Sequence, residues 1–390
     1  MASAGTQSLS VNVKISINGQ FLSGGDNRTA IKSITVRQTY DGQNGNATIR
    51  LLADSVKRLD PVSEESTSAT ATIRINGAQI YRGRITKATE REDGEVVIQL
   101  VSRVSKLTEK YATIETPRLK GVKTTDVLQK IFNSAGFAGR NYKIDIQQKT
   151  HKTSTSFTIE ENATVREALE QVAALQTAYI YVDAKDRVVV TDNPFSKVWA
   201  PTVFKSAEKG DEDDTKKRVI VKAPDQGTDI LASATATSTV EGAAGKPKAT
   251  ANQTEVKKDH SAQDKRTAAQ VALQEIIKNR TRSNVGTVEL IGEPRIRPYD
   301  GIKVSLPKEH TPLNDLDGIY TIKSVKHKFS ATDGYTTKVD LMKNLKLVCE
   351  NIEMDPAGFT TGLVKKMYTG SPTKIDPSDV NGGLSRFRSG

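Results

Sequence analysis

Alternating apolar and polar residues along the first hundred positions predict a series of short β-strands. From Val11 to Ile17 every second residue is apolar, which is the period-two pattern of a strand with one buried face. Similar runs follow at residues 31–36 and 47–52. The opening part of the chain is therefore predicted to be a sheet with one face in a core.

Turn residues separate these strands. Asn76-Gly77 stands between Ile75 and the run 80–86, and Asp93-Gly94 precedes the run 96–101. Both dipeptides supply the positive backbone angles of a tight hairpin. Strands at intervals of roughly ten residues, with turn residues between them, favour a closed or partly closed β-barrel.

The pattern becomes helical between residues 111 and 200. Thr164 stands three residues before Glu167, the spacing of a capping box, and the apolar residues that follow fall on one helical face: Val165, Ala168, Leu169, Val172 and Ala173. A second, less regular helix is predicted over 124–135. The segments AYIYV and RVVV then form a hairpin beside the helix, which indicates an inserted α+β unit.

The second half begins with a run of charged residues. Residues 205–217, which include four consecutive acidic residues from Asp211 to Asp214, are interpreted as a solvated connector. Strand pattern resumes at Arg218, and residues 232–255 are interpreted as an exposed strand that passes into a flexible loop. Ser261 with Asp264 is predicted to cap the next helix. Strands are then predicted near 286–291, 302–306, 319–329 and 336–342.

These elements predict a mainly β fold with α+β insertions, in which two β-barrel domains flank the inserted segments. We divide the chain into a first β-barrel domain at 1–110, an inserted α+β domain at 111–204, a second β-barrel domain at 205–345 with an inserted loop and helix at about 225–283, and a C-terminal arm at 346–390. The arm lacks sustained periodicity, so it is either a segment that orders on a partner or a disordered tail. Candidate partner-binding residues at and beyond its start are Leu345, Leu347, Met354, Phe359 and Leu363.

Charge and composition narrow the class of partner. The chain carries 57 Lys and Arg against 46 Asp and Glu, a net charge of +11, which favours an anionic partner such as nucleic acid or an acidic protein. The positive residues are scattered, which favours a solvated surface over a dedicated nucleic-acid groove. The sequence shows neither a secretion signal nor a membrane span. Its single cysteine, Cys349, forms no internal disulfide.

We find no local signature of catalysis. The histidines His151, His260, His310 and His327 do not have the spacing of paired helical metal ligands, and phosphate loops, nucleophile elbows and catalytic cysteine motifs are missing. We therefore expect no enzyme, no metal and no cofactor, and we interpret His327 as a partly buried structural residue. Glycoside cleavage needs only two carboxylates, so the 46 Asp and Glu residues leave that alternative open. The adjacent Glu160 and Glu161 are interpreted as loop residues before the helix.

The segment GEPRIRPYDGIKVSLPKEHTPLNDLDGIYTIKSVKHKFSATDGYTTKVDLMKN resembles the closing module of the phage tail hub proteins, the late-control and baseplate-hub family. The resemblance lies in the order of its turn residues and aromatics: Gly292 and Pro294 opening a strand, a turn at 298–301, Gly318 and Tyr320 starting the next strand, His327 within it, and a turn at 334–337. Upstream, IYRGRITKATEREDGEVVIQLVSRVSKL resembles a strand pair of the first hub barrel, and the capped helix with AYIYVDAKDRVVV resembles its inserted domain. The match runs along most of residues 1–345.

The resemblance implies a non-enzymatic hub at the tip of a phage tail, or of a related contractile injection system. In that family two similar barrels per chain form a homotrimeric, pseudo-sixfold ring that joins a sixfold tail tube to a threefold central spike. The implied partners are the tube protein, the spike, other baseplate proteins and the tape measure protein, with DNA passing through the lumen as a further prediction. The implied location is the virion tail, assembled in the host cytoplasm.

Three other functions remain open on the sequence alone. A tail-associated peptidoglycan hydrolase would use a pair of carboxylates. A spike-type component of a secretion machine would share the front half but continue into a long β-helical spike, which this sequence does not contain. A free nucleic-acid-binding protein would show binding that falls steeply with salt.

Overall fold

The computed structural model describes the parts of the chain on which all structural statements below rest: residues 11–22, 31–40, 45–52, 69–109, 112, 118–119, 122–146, 157–158, 163–174, 178–192, 197–201, 204–210, 218–222, 230–236, 254–258, 265–281, 285–306, 316–343, 352–355 and 373–374. Within these ranges no helix has the length and apolarity needed to cross a membrane. The predicted capping residues Ser261 and Asp264, and the acidic run 211–214, lie outside them.

The described part of the first hundred residues forms antiparallel strands, as predicted. The strands are β1 (Val13–Ile17), β2 (Gln20–Leu22), β3 (Ile31–Thr39), β4 (Asn46–Leu52), β5 (Thr70–Ile75), β6 (Ala78–Glu90) and β7 (Glu95–Val101). The Asn76-Gly77 turn between β5 and β6 has positive φ angles of 49° and 79°, which is the geometry that suits a two-residue hairpin. At the Asp93-Gly94 turn only Gly94 has a positive φ, 70°. The inward residues of these strands form one apolar core.

The next unit mixes helices and short strands, again as predicted. Its elements are α1 (Ser105–Glu109), β8 (Arg118–Leu119), α2 (Thr124–Ser134), a 3-10 turn (Gly139–Asn141), β9 (Tyr142–Asp145), β10 (Phe157–Thr158), α3 (Val165–Ala174), β11 (Tyr179–Val182) and β12 (Val188–Thr191). At the start of α3, the backbone N–H of Thr164 donates to the Glu167 carboxylate at 2.7 Å and the N–H of Glu167 donates to Thr164 Oγ1 at 3.2 Å, so the capping box is confirmed. The apolar faces of α2 and α3 are buried in a core of their own.

The second half contains the remaining elements: β13 (Lys197–Trp199), β14 (Phe204–Lys209), β15 (Arg218–Lys222), β16 (Ile230–Ala236), β17 (Thr254–Lys258), α4 (Lys265–Thr281), β18 (Gly286–Ile291), β19 (Gly301–Val304), β20 (Gly318–Ser330), β21 (Gly334–Met342), β22 (Ile352–Asp355) and β23 (Thr373–Lys374). Strands β15, β16, β17 and β22 make a four-stranded sheet that packs against α4 through a shared apolar core.

Three predictions in this half are wrong. Residues 205–209 are not a connector but belong to strand β14, which pairs with β18. This strand lies at one end of the sheet, where charged side chains are compatible with strand pairing, so its sequence did not indicate a strand. Residues 232–234 are not an exposed strand but are buried, Ala234 completely, because small side chains let α4 pack closely on β16. Gly292 and Pro294 do not open a strand: β18 ends just before them, and β19 begins at Gly301.

Fourteen strands from both halves join in one sheet, so the mainly β prediction is confirmed. Its main path runs β14-β18-β21-β20-β3-β4-β7-β6-β5-β1-β2, and β19, β13 and β23 branch from β20. Among the described strands, no pairing joins the two ends of this path, so the pairing shows an open sheet.

The large sheet is built from two modules with the same strand order. We define the first module as β1 and β3–β7, and the second module as β13, β14 and β18–β21. The first is ordered β3-β4-β7-β6-β5-β1 and the second β14-β18-β21-β20-β19-β13, and the corresponding strands occur in the same order along the chain. One pair differs in direction, because β1 is antiparallel to β5 whereas β13 is parallel to β19.

The registers of the two modules also coincide, including their irregularities. The pairing of β6 with β7 shifts between Ile85 and Lys87, and the pairing of β20 with β21 shifts at the corresponding place, between Ile322 and Ser324. A second register shift lies at the start of β3 in its pairing with β4, and at the start of β14 in its pairing with β18. At the first shift the N–H of Ile85 donates to Ala69 O at 2.8 Å, and the N–H of Ile322 donates to Asp300 O at 2.9 Å. A shared bulge is a local feature of one fold, so the modules are structural repeats.

Candidate interface surfaces and the buried junction

The two modules meet where β3 pairs antiparallel with the C-terminal half of β20. The register places Val36 opposite His327 and Arg37 opposite Lys326. His327 is 1% exposed, and its Nδ1 lies 2.8 Å from Tyr335 Oη and 3.3 Å from Thr337 Oγ1. Burial lowers the pKa of His327 to about 3, so the ring is neutral at physiological pH. His327 is hydrogen-bonded, as predicted, but it is wholly rather than partly buried.

The loop between β18 and β19 fastens the second module to the first. Arg297 Nη1 donates to Pro294 O at 2.6 Å and to Ile296 O at 2.7 Å, and its Nη2 donates to Gln79 O at 2.6 Å. Gln79 belongs to β6, so one guanidinium bonds the backbones of both modules. Burial lowers the pKa of Arg297, and the nearby Asp300 opposes that effect. Planar guanidinium groups suit such multidentate contacts.

An aromatic cluster joins the same loop to the α+β unit. Tyr299, at φ 71°, lies with its ring centroid 5.7 Å from those of Tyr40 and Tyr179 and 5.3 Å from that of Tyr181, all in edge-to-face geometry. Tyr40 follows β3, whereas Tyr179 and Tyr181 belong to β11. Tyr299 therefore connects three parts of the fold. These contacts hold its backbone in the left-handed region, which residues other than glycine rarely adopt.

Two buried carboxylates hold the surrounding turns. Asp186 accepts hydrogen bonds from Ser102 Oγ at 2.6 Å and Arg103 N at 2.9 Å, and Asp300 accepts from Trp199 Nε1 at 2.8 Å and Arg297 N at 3.2 Å. Burial raises the pKa of each to about 6, although these hydrogen bonds act in the opposite direction.

Asp186 also lines a small cleft between the first module and the α+β unit, together with Tyr81, Ser102 and Asp183. Asp183 accepts hydrogen bonds from the backbone of its own turn and pairs with Arg187 at 2.7 Å. Both cleft carboxylates thus have structural partners. The described ranges contain no cluster of three or more His, Cys, Asp or Glu side chains placed to hold a metal ion. The adjacent Glu160 and Glu161, interpreted above as loop residues, lie outside those ranges.

A row of basic side chains crosses the outer face of the large sheet. Arg37, Lys326 and Lys338 are directly opposite one another on β3, β20 and β21. Like charges in opposite positions are unfavourable. Lys338 is offset by Glu208, at 3.6 Å, and lies opposite Glu289 of β18. The positive charges look scattered in the sequence because Arg37 lies about 300 positions before Lys338, and the strand register brings the two residues together.

Most of the predicted partner-binding residues cannot be placed. Leu345, Leu347, Phe359 and Leu363 lie outside the described residues, and Met354 is described only by its backbone. Met354 lies in β22, opposite Ala234 of β16, and further along the arm β23 pairs with β13. The described pieces of the arm thus pair within their own chain, and a role of these five residues in partner binding stays a prediction.

Comparison with known proteins finds similarity in fold rather than in sequence. No protein-family model and no curated protein sequence matches the chain. The 43 kDa tail protein of prophage MuSo2 from Shewanella oneidensis has a TM-score of 0.62 at 12% identity, over 85% of this chain and 98% of that one. A tail protein from Neisseria meningitidis MC58 has a TM-score of 0.61 at 15% identity, over 86% of this chain and 97% of that one. The resemblance to phage tail proteins is confirmed at the level of the fold.

Proposed function

We propose that this protein is a non-enzymatic structural subunit of a phage tail tip or baseplate, a hub that joins the tail tube to the central spike. The proposal rests on the two modules, which have the same strand order and the same pairing register. Three copies of the chain would supply six such modules. A ring of that kind presents six similar faces to a sixfold tube, while the α+β unit and the arm obey threefold symmetry.

The fold shared with two tail proteins supports this assignment, and so does the chemistry of the described carboxylates. Asp183, Asp186 and Asp300 each serve a turn or a junction through short hydrogen bonds. We propose the virion tail as the location. The proposed partners are the tube protein, the spike, other baseplate proteins and the tape measure protein. We also propose two barrel-type domains with the division given above, except that the second begins at Lys197, because β13 belongs to the second module.

The proposal is tested by the mass and shape of the purified protein. We expect light scattering to give the mass of three chains, and negative-stain images to show a threefold ring with six lobes. A monomer at micromolar concentration, or a particle without six lobes, would contradict it. A peptidoglycan zymogram on the same sample distinguishes the hydrolase alternative, because clearing that disappears on replacing one carboxylate would establish an enzyme.

The row formed by Arg37, Lys326 and Lys338 is where we place the contact with an acidic neighbour or with passing DNA. If DNA is bound there, affinity falls steeply with salt as counterions are released, and replacing Lys326 with Ala reduces that dependence. A neutral or acidic surface facing the lumen of an imaged ring would remove the DNA prediction.

A further inference from the structure

The strand register collects basic side chains into a track on the outer face of the large sheet. Across β6, β7, β4, β3, β20 and β21, directly opposed residues form two neighbouring rows on the side away from the apolar cores. The first row is Arg84, Val101, Asn46, Arg37, Lys326 and Lys338, and the second is Lys87, Gln99, Thr48, Thr35, Lys328 and Thr336. We call these residues the basic track. It contains six Lys or Arg residues and neither Asp nor Glu.

The positive charge of the basic track is largely uncompensated. Among the described residues, Lys338 is the one track cation that forms an ion pair, with Glu208 at 3.6 Å. The other five are exposed or half-buried. Like charges on directly opposed residues, such as Arg37 and Lys326, are unfavourable for a sheet. A bound anion would remove this repulsion, so the folded chain has a surface prepared for a partner with several negative charges.

The dimensions of the basic track suit an extended polyanion. Six neighbouring strands make each row roughly 24 Å long, and the two rows are roughly 7 Å apart along the strands. Double-stranded DNA carries one negative charge for about every 1.7 Å of its length. A duplex that lies on the track therefore brings several phosphates within reach of the track cations in any register.

The composition of the basic track favours DNA over an acidic protein. Val101 is its one apolar residue, and its other uncharged residues are Asn, Gln and Thr. The centres of stable protein interfaces are enriched in aromatic residues, Met and Arg and are depleted in Lys, whereas four of the six track cations are Lys. Contacts with phosphate need only Lys, Arg and polar donors such as Thr, Asn and Gln.

We propose that the basic track binds the phosphate backbone of double-stranded DNA without sequence preference, across the junction of the two modules. This inference rests on the proposed function, which brings DNA to the tail tip, and it names the residues that contact the duplex. Glu289 of β18 lies opposite Lys338 and ends the track, because its carboxylate would repel phosphate. Contacts with phosphate alone let a protein slide along DNA, which is what passage of a duplex requires.

The salt dependence of DNA binding tests the basic track. The full chain is titrated into a short labelled duplex, and its affinity is measured by fluorescence anisotropy at several salt concentrations. If the five track cations other than Lys338 each meet one phosphate, affinity should fall roughly 500-fold between about 50 and 200 mM salt for each chain in contact. In the triple variant Lys87→Gln, Lys326→Gln and Lys328→Gln the fall should be only roughly 12-fold. Duplexes of different sequence should bind equally, and a clear preference would overturn the inference.

A second triple variant is the matched control. Lys14→Gln, Lys130→Gln and Lys303→Gln remove the same charge from exposed positions outside the basic track. We expect this variant to keep the salt dependence of the wild type. Equal effects of the two triple variants would mean that net charge alone attracts DNA, and would overturn the inference.

Two further measurements separate this inference from its alternatives. Poly-L-glutamate replaces DNA as the probe for an acidic protein, and a track variant that weakens binding of this probe while DNA binding is unchanged would overturn the inference. Light scattering and negative-stain images of the same samples report on the proposed hub. Trimers with six lobes that bind no DNA would overturn the inference and leave the hub function standing. DNA binding by a monomer that depends on the track would support the inference and contradict the proposed trimer.

Discussion

Replacing Arg297 with Ala is the sharpest test of the junction between the modules. The substitution removes three side-chain hydrogen bonds of 2.6–2.7 Å, one of them to Gln79 O in the first module. It also removes one of the two cations, Arg297 and Lys197, that favour the charged form of Asp300. A hydrogen bond to a charged group contributes about 1.5–3 kcal/mol. Because such terms are not additive, we expect a loss of about 3 kcal/mol.

The assay is urea unfolding followed by the fluorescence of Trp199, the only tryptophan in the chain. Trp199 is 3% exposed and donates its Nε1 hydrogen bond to Asp300, so its emission reports on this part of the fold. Arg297→Lys is expected to lose an intermediate amount, because one ammonium group does not reproduce the forked contact.

Arg295→Ala in the same loop is the matched control. The Arg295 side chain is 44% exposed and pairs with Glu293 at 3.0 Å, and its guanidinium lies 5.3 Å from the Trp199 ring centroid. Exposed contacts of these kinds contribute about 1 kcal/mol or less. If Arg297→Ala costs no more than Arg295→Ala, the guanidinium does not fasten the two modules and the reasoning is wrong.

Three further predictions concern single residues. The pKa of Asp300 in the folded protein is about 6, against an ordinary 3.8, so the stabilisation from its protonated form is fully present below about pH 3.8 and is lost as the pH rises to about 6, by up to about 3 kcal/mol. Asp300→Asn should therefore reduce the change in urea midpoint between pH 4 and pH 7. An unchanged dependence on pH would contradict this. Thr164→Ala should cost about 1 kcal/mol by loss of the capping box, measured by circular dichroism, with Thr164→Ser close to wild type; equal losses in both would argue against capping. Gly292→Ala should destabilise the protein more than Gly77→Ala in thermal unfolding. Both glycines have positive φ, but a Cβ at Gly292 would lie 2.5 Å from Tyr335 Cδ1, whereas nothing lies within 4 Å of a Cβ at Gly77. Similar losses of stability would mean that backbone strain alone causes the destabilisation.

Local signals in the sequence predicted most of the individual elements. The capping box at Thr164 and the turn at Asn76-Gly77 depend on residues close together in the chain, and their chemistry allows one local conformation. Strand β14 was not predicted because its side chains are mostly exposed, so its sequence has no alternation of apolar and polar residues. Ala234 was misjudged because small residues are common both in exposed strands and beneath a closely packed helix.

The junction and the repeat could not be predicted from sequence. Arg297 looks like any surface arginine until the fold places Gln79 O beside it, more than two hundred residues away in the chain. The two modules share backbone register while corresponding positions carry different residues, such as Glu90 of β6 and His327 of β20, each five residues after the bulge residues Ile85 and Ile322. Backbone hydrogen bonding sets that register, so side chains are free to differ where one position is covered and the other is not.

Strands β15, β16 and β17 and helix α4 lie between β14 and β18 along the chain, and they form the four-stranded sheet together with β22 of the arm. At the corresponding place the first module has only the short connection between β3 and β4. Because β14 and β18 are neighbouring antiparallel strands, with Lys209 opposite Gly286, the chain leaves and returns at almost one point. A segment with adjacent ends can be lengthened, shortened or exchanged without altering the register of the host sheet. The connection between the neighbouring strands β14 and β18 is therefore a position at which a different domain could be inserted while the register of the surrounding module is preserved.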